Sequence, residues 1–287
     1  MLETSKFSAF VEFTRPYNSA VVLLNFAIGH FLLSRSINVS FWLAVLVLVL
    51  LHSAATIRND LEDRRIDAIN SPQKPLVAGR VSETEARTLE LILVAVALVA
   101  GIWDLRIFLI SLVVLGLSYL YNSPPFFLSR KPISSILVLG LLYSLLPLML
   151  GMTLSDNLTQ LGVHHLVIVL SFFVIRLSTS LLKDYNDVKG DRKQGKDTFL
   201  LTYGGGITGG GSLLLGLAGY LGLAWGTYFL RGWQARDIVV LVLILILSLL
   251  RLRITSVGSF SEAHKLFLQI FSLENTLGFV YFLFLIL

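Results

Sequence analysis

Nine continuous apolar runs, each close to the length that crosses a bilayer, constrain this chain more than any other feature. They fall near residues 17–34, 40–57, 88–103, 106–121, 133–153, 163–182, 212–230, 237–250 and 266–287. A hydrocarbon core takes about 20 residues of helix. Inside it every backbone N–H and C=O must be paired within the protein, which favours helices. The runs are continuous rather than alternating, so a membrane β-barrel is excluded. Charged residues make up 14% of the 287 positions, against about 25% in a soluble domain. The spacing therefore predicts an all-α, polytopic membrane helix bundle of about nine transmembrane helices, with eight or ten as the neighbouring counts, in a single domain over 1–287.

The chain has no cysteine, so disulfides and thiolate metal sites are ruled out. The opening MLETSKFSAFVEFTRP is mixed in polarity and reads as an amphipathic helix at the membrane interface rather than a signal or transit peptide. On that reading a prokaryotic cell membrane is expected. With the N-terminus cytoplasmic, 18 basic residues fall on that side and 4 (Arg35, Arg106, Arg231 and Arg236) on the other. Such a split is a strong positive-inside signal and places the long polar loops, 58–87 and 183–211, in the cytoplasm. Nothing in the charge pattern points to nucleic acid.

Each of those loops opens on an acidic cluster at the end of an apolar run. The first is Asn59-Asp60-x-x-Asp63-x-x-x-Asp67; the second is Lys183-Asp184-x-x-Asp187-x-x-Gly190-Asp191. On a helix, i,i+3 and i,i+4 spacings put these side chains on one face. Like charges so spaced weaken a helix by a few tenths of a kcal/mol per pair, so a chain that does this twice has a cation to hold. One cluster alone reads as a solvated helix cap. Two with matching spacing, on the same side and 124 residues apart from Asp63 to Asp187, point to metal binding and hint at two related halves. Oxygen-only ligands suit Mg²⁺ or Mn²⁺; Mg²⁺ keeps waters and completes its shell with phosphate oxygens.

The pair resembles the motifs of the UbiA superfamily of intramembrane prenyltransferases. Asn59, Asp60, Asp63 and Asp67 match every position of its NDxxDxxxD; Lys183, Asp184, Asp187, Gly190 and Asp191 match its KDxxDxxGD. "TRPYN" at 14–18, "DAINSPQKPLVAGRV" at 67–81, "YNSPPFFLSRKP" at 121–132 and the run from Asp191 to Gly204 also resemble the family, although it often has Arg where this chain has Lys74. The resemblance implies helices around a central cavity and transfer of a polyprenyl group from a prenyl diphosphate to a small-molecule or lipid acceptor. It implies Mg²⁺ as cofactor, two or more ions bridged by the diphosphate. Asn59, Asp60, Asp63, Asp67, Asp184, Asp187 and Asp191 are then the metal ligands. Asp63, Asp187 and Lys183 are the catalytic residues. The acceptor is an aromatic quinone precursor or a geranylgeranylglyceryl phosphate-like lipid. "KDYNDVKGD" is closer to the homogentisate, chlorophyll and ether-lipid branches than to the hydroxybenzoate branch.

For substrate binding the candidates are Asn59, Arg15, Lys131, Lys183, Arg176 and His52. Lys131 and Lys183 flank the active side, and Arg15 precedes the first apolar run. Arg176 lies about two turns inside the run at 163–182, where an ionisable group is expensive. His52 is seven residues before Asn59, on the same helical face. Arg58 and Arg65 are expected to pair with the acidic stripe. "YGGGITGGGS" at 203–212 lacks a phosphate-loop order and reads as a flexible turn. The alternative function is a cation-coupled transporter using the same clusters, but transporters bind near the midplane. A phosphatidyltransferase of the CDP-alcohol kind would need D-G-x-x-A-R upstream, which is missing.

Overall fold

The computed structural model describes residues 6–155 and 157–287, except the side chains of Pro16 and Tyr17. Within the first sixteen residues, read as an interfacial helix, α1 (Lys6–Thr14) is helical, and residues 1–5 lie outside the described residues. Among the described residues there is no strand. The remaining helices are α2 (Pro16–Leu33), α3 (Val39–Glu62), α4 (Arg64–Asn70), α5 (Glu83–Gly101), α6 (Leu105–Asn122), α7 (Pro132–Gly140), α8 (Leu146–Thr153), α9 (Val163–Ser180), α10 (Val188–Lys193), α11 (Phe199–Arg231), α12 (Asp237–Thr255) and α13 (Phe260–Ile286). A π-helical turn, Leu141–Leu145, joins α7 to α8 in one span.

Seven helices among the described residues are long and apolar enough to cross a membrane, or eight if the bent α1–α2 pair is one span. The expected count of nine also includes α5, which brings Glu83, Glu85, Arg87 and Glu90 into its first turns. Ser82 starts α5 with the capping box its sequence calls for.

The helices close into a ring. α2 packs on α3, α8 and α13; α3 packs on α5 and α6; α9 packs on α7 and α11; and α12 joins α11 to α13. Without a hydrophobic drive between helices in lipid, small residues set how closely they approach. At the α2–α8 crossing a Cβ on Gly29 would lie 2.1 Å from the Leu148 carbonyl oxygen, and one on Gly151 2.1 Å from that of Phe26. Neither position tolerates a side chain.

Two sequence expectations are corrected here. The glycine run at 203–212 is helical, not a turn: Gly204 alone departs, at φ 79°, and kinks α11 where it leaves the polar face. A glycine costs about 1 kcal/mol in a helix, but the second half of the run is packed: Thr208, Gly209 and Ser212 are buried, Gly209 against Ile254 and Thr255 of α12. Arg251, just past the expected run 237–250 and one of the 18 basic residues assigned to the cytoplasmic loops, is not a loop residue. α12 runs past it, and its fully buried guanidinium donates to Ser178 Oγ (2.9 Å) and Tyr220 OH (2.7 Å) and pairs with Glu274. Seventeen basic residues then remain on the expected cytoplasmic side, and the topology argument is unchanged.

Candidate active site

Both acidic motifs break their helices at the central aspartate. Asp63 ends α3 and begins α4 at φ −92°, ψ 11°; Asp187 ends a 3₁₀ turn, Lys183–Asn186, and begins α10 at φ −101°, ψ 1°. Each therefore sits in the sparsely populated bridge region where active-site residues recur. The continuous two-turn stripe expected from spacing is replaced by a bend that presents the central carboxylate between two short helical pieces. The matching backbone gives the weak half-repeat of the sequence a structural form.

The motifs face each other through a clamp that sequence spacing did not reveal. Asn70, at the end of α4, donates from Nδ2 to the Asp187 carbonyl (3.0 Å) and accepts at Oδ1 from the Gly190 N–H (2.8 Å). A Cβ on Gly190 would lie 2.5 Å from Asn70 Nδ2, so only glycine lets the two approach. Lys196 also spans the motifs, with Nζ 3.4 Å from Asp63 and 3.8 Å from Asp191.

Four cations are set among six carboxylates. Lys74 Nζ bridges Asp60 (2.9 Å) and Asp67 (2.7 Å), Arg15 also pairs with Asp60, and Lys183 pairs with Asp184 (2.5 Å). The cluster stays net negative, which attracts further cations. Asn59 donates to Asp63 (3.3 Å) and to Asn122 Oδ1 (3.0 Å), fixing its amide at the top of α3. Asp191 is fully buried, and neither carboxylate oxygen has a hydrogen-bond partner. Such a group is costly unless something coordinates it. Among the described residues no three acids or histidines are gathered to hold an ion alone. The oxygen-only donors and the orphaned Asp191 carboxylate fit Mg²⁺ that draws its remaining ligands from phosphate and water.

Burial pushes Asp67 up to about 6, against the opposing pull of Lys74, and Asp191 up to about 7, against Lys196. Burial raises Asp187 as well. A carboxyl whose folded pKa is raised keeps a proton that the unfolded chain has lost. Its contribution to stability therefore declines as pH rises through the window from the ordinary carboxylate range to about 7. Cation binding must displace those protons. Mg²⁺-dependent binding of an unreactive prenyl diphosphate analogue should weaken by roughly tenfold or more from pH 8 to pH 6. Calorimetry at pH 6.5 in buffers of different ionisation heat should show proton release; none would refute the linkage.

Two chambers meet here. A polar one of about 1150 Å³ is bordered by Arg15, Asp60, Asp67, Lys74, Lys183 and Asp187, with Glu12 and His264. A largely apolar one of about 730 Å³ runs from Asn59 and Arg15 down past His52 to Leu48 and Val22, walled by Val114, Leu142 and Tyr143. Arg15 borders both. His52 lies as spacing foretold, on the face of Asn59, its ring edge-on to Tyr143 at 5.0 Å and its Nε2 buried without a partner.

Not every candidate converges. Lys131 is exposed at the start of α7 and borders neither chamber. Arg176 opens onto a separate small cavity across α2, with Asn25 and Glu274, and lies over the Phe271 ring at 5.6 Å. Arg58 pairs with Glu90 and Glu62, not with the aspartates. The cations that do reach the aspartates from outside the motifs, apart from Arg15, are Lys74 and Lys196. Their sequence signal was position, in the stretches just beyond each motif, and for Lys74 also the Arg that the resembled family often carries there.

Comparisons with known proteins bear on the family and the fold. The model of the UbiA prenyltransferase family matches residues 22–273. A digeranylgeranylglyceryl phosphate synthase of Methanobrevibacter smithii is 28% identical over 206 residues, covering 68% of this chain and 69% of that one. The chloroplastic chlorophyll synthase of Arabidopsis thaliana is 33% identical over 154 residues, 51% of this chain and 39% of that one. The solved structure of a UbiA homolog from Archaeoglobus fulgidus, bound to GPP and Mg²⁺, superposes with a TM-score of 0.70 at 18% identity, covering 96% of this chain and 99% of that one.

Proposed function

The chain belongs to the UbiA prenyltransferase family, and from that premise we propose that it transfers a geranylgeranyl-like chain to a lipid or tetrapyrrole acceptor rather than to a hydroxybenzoate. The observation that carries the reading is the junction itself: two clamped acidic motifs around a polar chamber that meets an apolar one at Arg15. A transporter does not fit, because the family is a transferase family and the acidic groups lie at one face, not at the midplane.

The residues divide the work by chemistry. Asn59, Asp60, Asp63, Asp67, Asp184, Asp187 and Asp191 would hold two or more Mg²⁺ ions. When bound, these supply Lewis-acid neutralisation of the departing diphosphate. Arg15, Lys74 and Lys183 border the polar chamber and offer fixed positive charge to the remaining phosphate oxygens. The isoprenoid gains about 0.8 kcal/mol per buried CH₂ along Leu48, Leu51 and Val114. The apolar walls keep water from the allylic carbon as its C–O bond breaks. His52, buried beside Tyr143 with a free nitrogen, is placed to meet the tail or accept a proton from the acceptor. Arg176, set apart across α2, has no part in diphosphate binding on this reading, and Lys131 serves as an interfacial anchor.

Membranes holding the protein should transfer label from radiolabelled geranylgeranyl diphosphate to geranylgeranylglyceryl phosphate or chlorophyllide. Transfer to hydroxybenzoate alone would overturn the acceptor assignment.

The polar chamber faces the cytoplasm on the basic-residue split. The chain lacks cysteine, so single cysteines report sides cleanly. A cysteine replacing Gln73 should be labelled by an impermeant maleimide only from the cytoplasmic side, and one replacing Ile37 only from the other. Labelling of both from one side would reject this topology.

A further inference from the structure

We propose that the face opposite the acidic chamber carries a binding site for the phosphate of an anionic phospholipid. The inference is independent of the transfer reaction. Four basic residues lie on that face, and all four are arginine: Arg35, Arg106, Arg231 and Arg236. Two are neutralised locally, Arg106 by Asp104 (2.7 Å) and Arg231 by Asp237 (2.5 Å). Arg35 and Arg236 make no ion pair among the described residues. The Arg236 guanidinium lies 5.2 Å over the Phe284 ring, and its Nε is buried without a hydrogen-bond partner.

Both unpaired arginines border one cleft of about 980 Å³ between the ends of α2 and α13 and the segments at 157–160 and 230–236. Its rim is tied in place, since Asn157 donates to the Leu33 carbonyl (3.0 Å). Its inner wall is apolar, built from Phe31, Leu230 and Leu285. All four tryptophans, Trp42, Trp103, Trp225 and Trp233, are exposed at this end of the bundle. Tryptophans gather where hydrocarbon meets headgroups, so the cleft lies at headgroup depth.

Positive charge on this side works against the orientation that the cytoplasmic residues impose, so topology does not explain it. Guanidinium matches phosphate in a planar, bidentate way that ammonium does not. A phosphodiester between Arg35 and Arg236, with acyl chains along Phe31 and Leu285, satisfies both the charge and the apolar wall. A soluble phosphate satisfies only the first.

The test uses the full-length protein in mild detergent, titrated with phosphatidylglycerol, phosphatidylcholine or inorganic phosphate and read by native mass spectrometry. Phosphatidylglycerol should bind in one-to-one stoichiometry with at least tenfold preference over phosphatidylcholine. The single variant Arg35→Gln, at an exposed side chain, and the double variant with Arg236→Gln should each weaken it tenfold or more. Arg106→Gln, which removes a paired charge on the same face, should leave binding unchanged. Retention of phosphatidylglycerol by the double variant would overturn the proposal. So would an equal loss in Arg106→Gln, which would indicate diffuse surface charge. Competition by millimolar inorganic phosphate would make the cleft a soluble-anion site and would also overturn it.

Discussion

Asp63→Ala and Asp187→Ala should each lower prenyl transfer by about 10²–10³-fold or more, the range for removing one group that stabilises developing charge. These two aspartates are singled out by backbone. Each sits at the bend of its motif in the same bridge-region conformation, where its carboxylate is turned out from both flanking helical pieces. Neither substitution empties a packed core. Among the described residues the Asp63 side chain is held by Asn59 and Lys196, and Asp187 is only partly buried. Melting temperatures should therefore change little while turnover collapses. The measurement is transfer of radiolabelled prenyl diphosphate in excess Mg²⁺, beside a thermal melt of each variant. If either variant keeps near-wild-type turnover, the two motifs do not act on one diphosphate.

Gly190→Ala should act at a distance from the substrate and still cost transfer about 10–100-fold. The new methyl would lie 2.5 Å from Asn70 Nδ2, so the amide must swing away. It then gives up both hydrogen bonds that join α4 to α10, and an unsatisfied buried group costs about 1–3 kcal/mol. The two acidic motifs lose their fixed spacing, and a diphosphate can no longer bridge them well. Asn70→Ala should give a similar loss. A cross-link separates spacing from folding. The chain has no cysteine, so a pair replacing Asn70 and Gly190 is the only thiol pair present. The Gly190 Cβ position lies 2.7 Å from Asn70 Cγ. One C–C bond back, the two Cβ atoms are within about 4.2 Å, inside the range for a disulfide. Oxidation should restore Mg²⁺-dependent binding of a prenyl diphosphate analogue, and reduction should remove it. Equal binding in both states would show that the clamp does not set the gap.

Much of this protein was legible as a string because lipid imposes simple rules. Hydrocarbon demands length and internal hydrogen bonding, so the apolar runs located the long helices, most of them to within about six residues, although α11 begins at Phe199 and not at 212. Carboxylates crowded at a membrane boundary are costly enough that Asn59, Asp60, Asp63, Asp67, Asp184, Asp187 and Asp191 stood out before any coordinates. Helical periodicity put His52 on the face of Asn59, where it lines the apolar chamber.

Other features depended on contacts between distant parts of the chain, which periodicity does not encode. Asn70 meets Gly190 across 120 positions and Lys196 meets Asp63 across 133; local spacing contains neither. The glycine run at 203–212 has turn composition but is helical except at Gly204, and the burial of Thr208, Gly209 and Ser212 against distant parts of the chain offsets their poor propensity. Arg251 looked like a cytoplasmic anchor until Glu274, Tyr220 and Ser178 closed around it. Lys131 and Arg176 were reasonable by position, yet the bundle turns one outward and the other toward a separate cavity. Sequence alone therefore determined which chemistry this protein carries and on which face of the membrane bundle it sits. Tertiary structure decided which cations reach the acidic motifs, because a charge acts over a few ångströms and only packing between helices sets such distances.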